Sequence, residues 1–453
     1  MNRRQLLAHG TLATGLLTGC LRNTGESGEP TTGGANDTDA ASEPDSGGNE
    51  TATDDGTNAS PRDNWCETTD PPASTSGQWT HAGFDAAHTS ASSAAIRSTD
   101  APCFRWEYQE DGQTAPVTAT ADLVIFPGTR DGSSVTAFDR DTGERQWSAD
   151  DGIVDNVSHS REPAVIEGDT VFFEARESSR TNQYYVFAVD LATGEERWRF
   201  GDLEETDADN REDAERFIPG VTAVDGRVFV QSTHATYALD AATGDRLWRA
   251  GEGGSTPTVG NGLVFGRSRT KERGPETAGE GVLYALDVES GEEQWSVEQG
   301  ASIRQPTYAD GLLFVPLFDG EETMTAIDAA SGETHWVHES RASAVSQAVA
   351  DGTVYCATSE NGLIAFDAEI GDDNWVFDPE YTLGQSAPVV TDDLVLHAGN
   401  DTGANKHGVF AVDRDSGDQQ WLRQFADPVF RSPTVADDEL WVVTQTGSLL
   451  AFR

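Results

Sequence analysis

"ALDAATGDRLW" (238–248) returns as "AFDRDTGERQW" (137–147) and "ALDVESGEEQW" (285–295). The shared pattern is A-x-D-x-x-x-G-x-x-x-W. Its aspartates are Asp139, Asp190, Asp240, Asp287, Asp328, Asp367 and Asp413. Four residues after each stands a glycine: Gly143, Gly194, Gly244, Gly291, Gly332, Gly371 and Gly417. Eight after each stands a tryptophan: Trp147, Trp198, Trp248, Trp295, Trp336, Trp375 and Trp421. Successive aspartates lie 39 to 51 residues apart, the length of a four-stranded propeller blade. The string reads as a hairpin. A short strand ends at the Asp, whose carboxylate caps the free N–H groups of the turn. Gly supplies the positive φ that the turn needs. The next strand carries the Trp into the groove between neighbouring blades, burying about 150–250 Å².

Two more apolar runs precede each string, as in "STPTV" (255–259) and "GLVFG" (262–266). They predict an inner strand A, a turn such as Asn261-Gly262, and strand B. The string supplies strands C and D. Blade bodies begin near Pro116, Pro163, Pro219, Pro257, Pro306, Ala348, Pro388 and Pro433. That makes eight, but the last ends at strand C, in "GSLLAFR" (447–453). Its missing strand D is "CFRWEY" (103–108), with Trp106. The expectation is an all-β, eight-bladed propeller over 103–453, closed by pairing C-terminal strands with this N-terminal one, which leaves no open sheet edge. The likewise expected oligomeric state is a monomer.

The chain before residue 103 has another character. Arg3-Arg4 and the apolar run ending "LTGC" (17–20) read as a Tat-type signal with a lipobox over 1–20. The run is too short and polar for a span, which needs about 20 apolar residues. Cys20 is the expected lipid site, placing the protein outside the cytoplasm on the outer face of the cytoplasmic membrane. Residues 21–64 are low in complexity and predict a disordered tether, with sequons at Asn36, Asn49 and Asn58; Asn156 and Asn400 add two more. Residues 65–102 form a lead-in. Cys66 and Cys103 are candidates for a disulfide, and Cys356, in "GTVYCAT", reads as a buried thiol. The 78 acidic residues against 30 basic ones leave a net charge of −48, and only two lysines occur. Self-repulsion of that size is tolerable where salt shortens the Debye length to about 3 Å, the composition of an extreme halophile, read here as archaeal. It excludes nucleic acid as a partner, which needs a basic footprint.

With its "DxxTGxxxW" columns, residues 103–453 resemble the PQQ-like repeat family. The resemblance implies either a quinoprotein dehydrogenase or a non-enzymatic propeller of the outer-membrane assembly lipoprotein type. "WTHAGFDAAHTS" (79–90) is similar to the lead-in of the non-enzymatic members. The dehydrogenases carry a vicinal Cys-Cys pair and an Asp/Glu/Asn set around calcium; no Cys-Cys pair occurs here. The expectation is therefore a lipid-anchored scaffold that binds an extracytoplasmic or membrane protein on its loop-rich face, with no catalytic residues, no metal site and no cofactor. The alternative is a dehydrogenase with PQQ and calcium on the axis, and a further alternative is a glycan-binding module.

Three arginines offer a candidate site. Arg161, Arg304 and Arg431 stand two residues before a blade-starting proline, where strand A opens nearest the axis. Together they would hold an anion or an acidic peptide by bidentate contacts; singly, each would pair with an acid such as Glu162. The insertions 175–183, 267–280 and 399–408 and the connection 201–216 are expected on the same face. His335 and His338 read as surface residues. "DRDTGE" (139–144) and "DRDSGD" (413–418) lack the distal ligands of a calcium loop and read as turn caps.

Overall fold

The structure is a computed structural model. It describes residues 66, 78–81, 83–92, 96, 101–109, 115–128, 135–149, 157–159, 162–177, 184–201, 217–232, 235–251, 253–254, 256–269, 281–299, 302–318, 322–338, 346–358, 362–379, 386–401 and 406–453. The chain divides into two units, Met1–Gly56 and Thr57–Arg453, and every described residue belongs to the second. Cys20, the signal and the tether lie outside the described residues, as does Arg161.

Eight antiparallel sheets form the ring. Blade 1 is Thr118–Ala119, Leu123–Pro127, Val135–Asp139 and Arg145–Ser148, as strands A to D. In blade 2, Val157–His159 and Val165–Glu167 both pair with strand B, Thr170–Glu177, followed by Tyr184–Asp190 and Glu196–Phe200. Blade 3 is Phe217–Val224, Arg227–Ser232, Thr236–Asp240 and Arg246–Ala250. Blade 4 is Thr258–Gly260, Leu263–Arg269, Gly281–Asp287 and Glu293–Gln299. In blade 5, Ser302–Ile303 and Thr307–Ala309 pair with Leu312–Phe318, then come Glu322–Asp328 and Thr334–His338. Blade 6 is Ser346–Ala350, Thr353–Thr358, Gly362–Asp367 and Asp373–Phe377. Blade 7 is Val389–Val390, Leu394–Asp401, Lys406–Asp413 and Gln419–Phe425. Blade 8 is Thr434–Ala436, Glu439–Val443, Ser448–Phe452 and, from the other end of the chain, Phe104–Gln109.

The propeller of eight four-stranded blades expected from the repeat is therefore the fold. Its closure pairs Phe104 with Phe452 and runs to Gln109 opposite Ser448. Two reciprocal 2.8 Å bonds between the backbones of Cys103 and Arg453 extend the ladder. Cys66 and Cys103 are joined by a disulfide, and the Cys66 N–H donates to the Phe104 carbonyl at 3.0 Å. Cys356 is a free, buried thiol, and burial pushes its pKa up.

The repeated string works as a joint between blades. At each of the seven turns the Asp carboxylate accepts the N–H three residues on, at 2.8–3.0 Å. The glycine has φ of 71–77°. The tryptophan of the preceding blade lies on it so closely that an added Cβ would meet the indole at 2.6–3.0 Å. The same indole N–H donates to the carbonyl following the Asp at 2.9–3.1 Å, from Trp106 onto Arg140 round to Trp375 onto Arg414. Glycine is required twice over, by the left-handed φ and by the ring lying on it. Blade 8 has no C–D turn, because its strands C and D belong to opposite ends of the chain. Trp421, which faces it, has no partner for its N–H among the described residues.

Candidate functional site

Strand A is the innermost strand of each blade and runs from the face of the D–A connections to that of the A–B turns. The lead-in occupies the axis at this second face. The amide four residues before the start of strand B repeatedly donates to it. Ala119 bonds the Trp79 carbonyl, Ile166 that of Thr80, Val259 that of Ala86, Tyr308 that of Ala87, Val349 that of Thr89 and Val390 that of Ser90, all at 2.8–3.0 Å. Blade 3 is reached by a side chain, His81 Nε2 donating to the Ala223 carbonyl at 2.8 Å. The segment thus meets blades 1, 2, 3, 4, 5, 6 and 7 in chain order. Only a path around the central channel can do that.

This axial strap is well anchored. Trp79 is 1% exposed and packs edge-on against Phe84. Asp85 accepts from the Ala87 and Thr89 amides at 3.1 and 3.0 Å and from the Thr89 hydroxyl at 2.8 Å. His88 Nε2 donates to the Pro257 carbonyl at 3.1 Å, and Thr307 donates to the His88 carbonyl. Burial lowers both imidazoles, His81 to about 4, so each is neutral near pH 7. Phe84, His88 and Ser90 hold φ of 73, 58 and 51°, a conformation that costs non-glycine residues energy and marks a constrained segment.

Of the three arginines singled out from the sequence, Arg304 and Arg431 are described, each just before a strand A, on the side of the D–A connections. Arg304 is exposed and Arg431 half-buried. Burial holds the Glu162 carboxyl above its usual range, and the charge that opposes this is Arg431, from blade 8. Glu174, not foreseen from the sequence, is 2% exposed between blades 2 and 3. One of its oxygens accepts from the Gly220 amide at 3.3 Å, and Oε1 has no partner among the described residues. Burial, with repulsion from Glu162, pushes its pKa to about 8, so it is largely a neutral donor at pH 7. Gln305 and Gln347 tie neighbouring inner strands: Gln347 Nε2 reaches the Gln305 carbonyl at 2.8 Å, and Gln305 Nε2 the Thr256 carbonyl at 3.0 Å.

This mouth offers hydrogen bonding and charge pairing. Among the described residues no group of three His, Cys, Asp or Glu is placed to hold a metal ion. Two carboxyls that burial drives toward their neutral forms do not fit the six to eight oxygens, roughly, that calcium takes. Ser386 Oγ and His397 Nδ1 meet at 3.4 Å, longer than a working nucleophile–base pair, and burial lowers the imidazole to about 3. His338 is a correction to the surface reading: it is half-buried, stacks on Phe366 and bonds Asp373 at 2.9 Å. His335 is exposed. Most of the insertions expected on this face fall outside the described residues.

A second unforeseen group closes the ring on the strap's face. Arg140, 2% exposed, directs its guanidinium from the blade 1 turn into blade 8. It pairs with Glu439 and Asp437, donates to the Ala436 and Thr120 carbonyls, and stacks over Trp441. Arg105 shares Glu439.

The family model described as outer membrane protein assembly factor BamB matches residues 86–180, 182–306 and 279–452. Among solved structures, BamB from Moraxella catarrhalis is 17% identical, with a TM-score of 0.55 over 78% of this chain and 98% of that one. Quinohemoprotein alcohol dehydrogenase ADHIIG from Pseudomonas putida HK5 is 14% identical, with a TM-score of 0.63 over 85% and 83%. A europium-containing methanol dehydrogenase is 13% identical, with a TM-score of 0.62 over 82% and 90%. These likenesses are of fold. No curated protein matches the sequence.

Proposed function

The chain belongs to the family described as outer membrane protein assembly factor BamB, and from that premise we propose that it is a lipid-anchored, extracytoplasmic scaffold that binds a membrane or envelope protein without transforming it. The observation that carries this reading is the family match across the whole ring, residues 86–452. The chemistry of the mouth agrees with it: Arg304, exposed, and Arg431, half-buried, suit polar recognition. The partner is met on the face of the D–A and B–C connections, where Arg161, Arg304 and Arg431 contact its acidic groups. Cys20 carries the lipid, and the net charge of −48 suits work in concentrated salt.

Crosslinking at the surface of cells that make the full chain tests the reading. The expected result is one membrane or envelope protein captured by wild type and lost when Arg161, Arg304 and Arg431 are changed together to Gln. Undiminished capture would remove the arginines from the site. Saturable binding of PQQ with calcium, accompanied by dye reduction with alcohols, would replace the scaffold by a dehydrogenase. Cys20→Ser is expected to release the protein into the medium, and retention would sink the lipid anchor.

A further inference from the structure

We infer that the inner rim of the ring is a binding surface for a peptide backbone, and that residues 79–92 are its resident occupant, held in place of any competitor. The inference does not depend on the scaffold reading. In six of the eight blades the rim presents one amide at one register position: Ala119, Ile166, Val259, Tyr308, Val349 and Val390. All six point at backbone carbonyls of the strap, and none of these six bonds involves a strap side chain. Recognition through main-chain groups is how sheet edges accept an added segment. It asks the occupant for carbonyls at set positions, and Trp79, His81 and His88 add buried side-chain contacts.

Three observations separate occupant from scaffold. The strap belongs to no blade; apart from isolated bridges it forms no strand. Its own turn is made by its own groups, chiefly Asp85 receiving Ala87 and Thr89. Three of its non-glycine residues are held in the left-handed region, strain that release would relieve. The Cys66–Cys103 disulfide, with both sulfurs at the blade 8 seam, keeps the strap beside the rim, so a peptide arriving from solution competes with a tethered one at high effective concentration.

The test uses the full chain with a substitution confined to the strap. A Cβ at Gly83 would meet the His88 Cα at 2.9 Å, and no blade atom is among its near contacts. Gly83→Val therefore disturbs the strap's turn and leaves the rim's own residues intact. Hydrogen exchange is expected to quicken at least tenfold at the six rim amides, with the strand B amides of Phe172 and Phe229 unchanged. A labelled synthetic peptide of residues 78–92 is expected to bind the variant saturably and slow those amides again, and to leave wild type untouched. Wild-type exchange in the variant, or a peptide that does not restore protection, overturns the inference. If Gly83→Val does not fold, Asp85→Ala, which removes only the strap's internal hydrogen bonds, is read by the same two measurements. Failure of both variants to fold would make the strap an integral part of the ring and would also overturn the inference.

Discussion

Arg140 shows what a single residue contributes to a closed ring. Its charge is buried with two carboxylates and an indole face, and burial lowers its pKa although Asp437 opposes the shift. Removing one partner of such a cluster strands the others, at a cost of about 3–5 kcal/mol. Arg140→Met is expected to lower stability by that order in chemical denaturation, whereas Arg199→Met, on an exposed pair with Glu196, is expected to cost under about 1 kcal/mol. Glu174 makes the opposite kind of statement. Its folded pKa, about 8, lies above its unfolded one, 4.5, so the folded state binds its proton more tightly. The stability this contributes is full below about pH 4.5 and is lost as pH rises through about 8. Glu174→Gln is expected to remove that loss, raising stability at pH 8 by on the order of 1–3 kcal/mol and flattening the pH profile of melting. Neither residue was legible in the sequence. Arg140 stands in a repeat column held elsewhere by Leu191, Ala241, Val288, Ala329, Ala368 and a second arginine, Arg414, so its residue type alone does not mark it, and its partner Glu439 is 299 residues away. Glu174 interrupts the apolar run 171–175, but alternation along a strand does not show that its side of the sheet is buried too.

The hairpin element was legible because one local problem is solved seven times. A left-handed turn residue, a carboxylate cap and an indole on the next strand leave the same three letters in each blade, and spacing alone exposes them. Gly244→Ala tests that account. It forces φ of +76° on a Cβ that also meets Trp198 at 2.7 Å, and the backbone part alone costs about 1–3 kcal/mol. Loss of the Trp198 fluorescence environment should accompany the lower melting temperature. The lead-in was legible only as a likeness to other lead-ins. Most of its contacts are main-chain bonds to successive blades, and the few side chains that take part, Trp79, His81 and His88, follow no repeat. The candidate disulfide, in contrast, could be read from two cysteines in an exported chain. Reducing it is expected to lower stability by about 2–4 kcal/mol, measured as the shift in denaturation midpoint with and without a dithiol.

At the scale of the whole molecule, closure depends on both ends of the chain. Residues 450–453 include Leu450, Ala451 and Phe452, which pair with Glu107, Trp106 and Phe104 on one side and with Val442, Trp441 and Leu440 on the other. Deleting them is expected to abolish the single cooperative melting transition; an unchanged transition would mean that blade 8 closes by other contacts. The count of eight blades and the seam were legible because the sequence holds eight inner strands but only seven full strings. The mouth was less so. Arg431 was visible as a rare positive charge, yet Glu162, whose charge it opposes, comes from another blade.

The disulfide also dictates how the molecule would carry tension. Cys66 and Cys103 are 37 residues apart in sequence and bonded at the seam. If a force were applied between the N-terminal leader and Arg453, the load would pass from Cys66 directly to Cys103 and into strands D and C of blade 8. The intervening loop would stay slack, and its hold on the axis would not be loosened by pulling. In an optical trap, reduction should add at most about 120–135 Å of contour length at roughly 3.3–3.6 Å per residue, in a step absent from the oxidised chain. A mechanical fuse would thus sit at the joint where the chain's two ends meet.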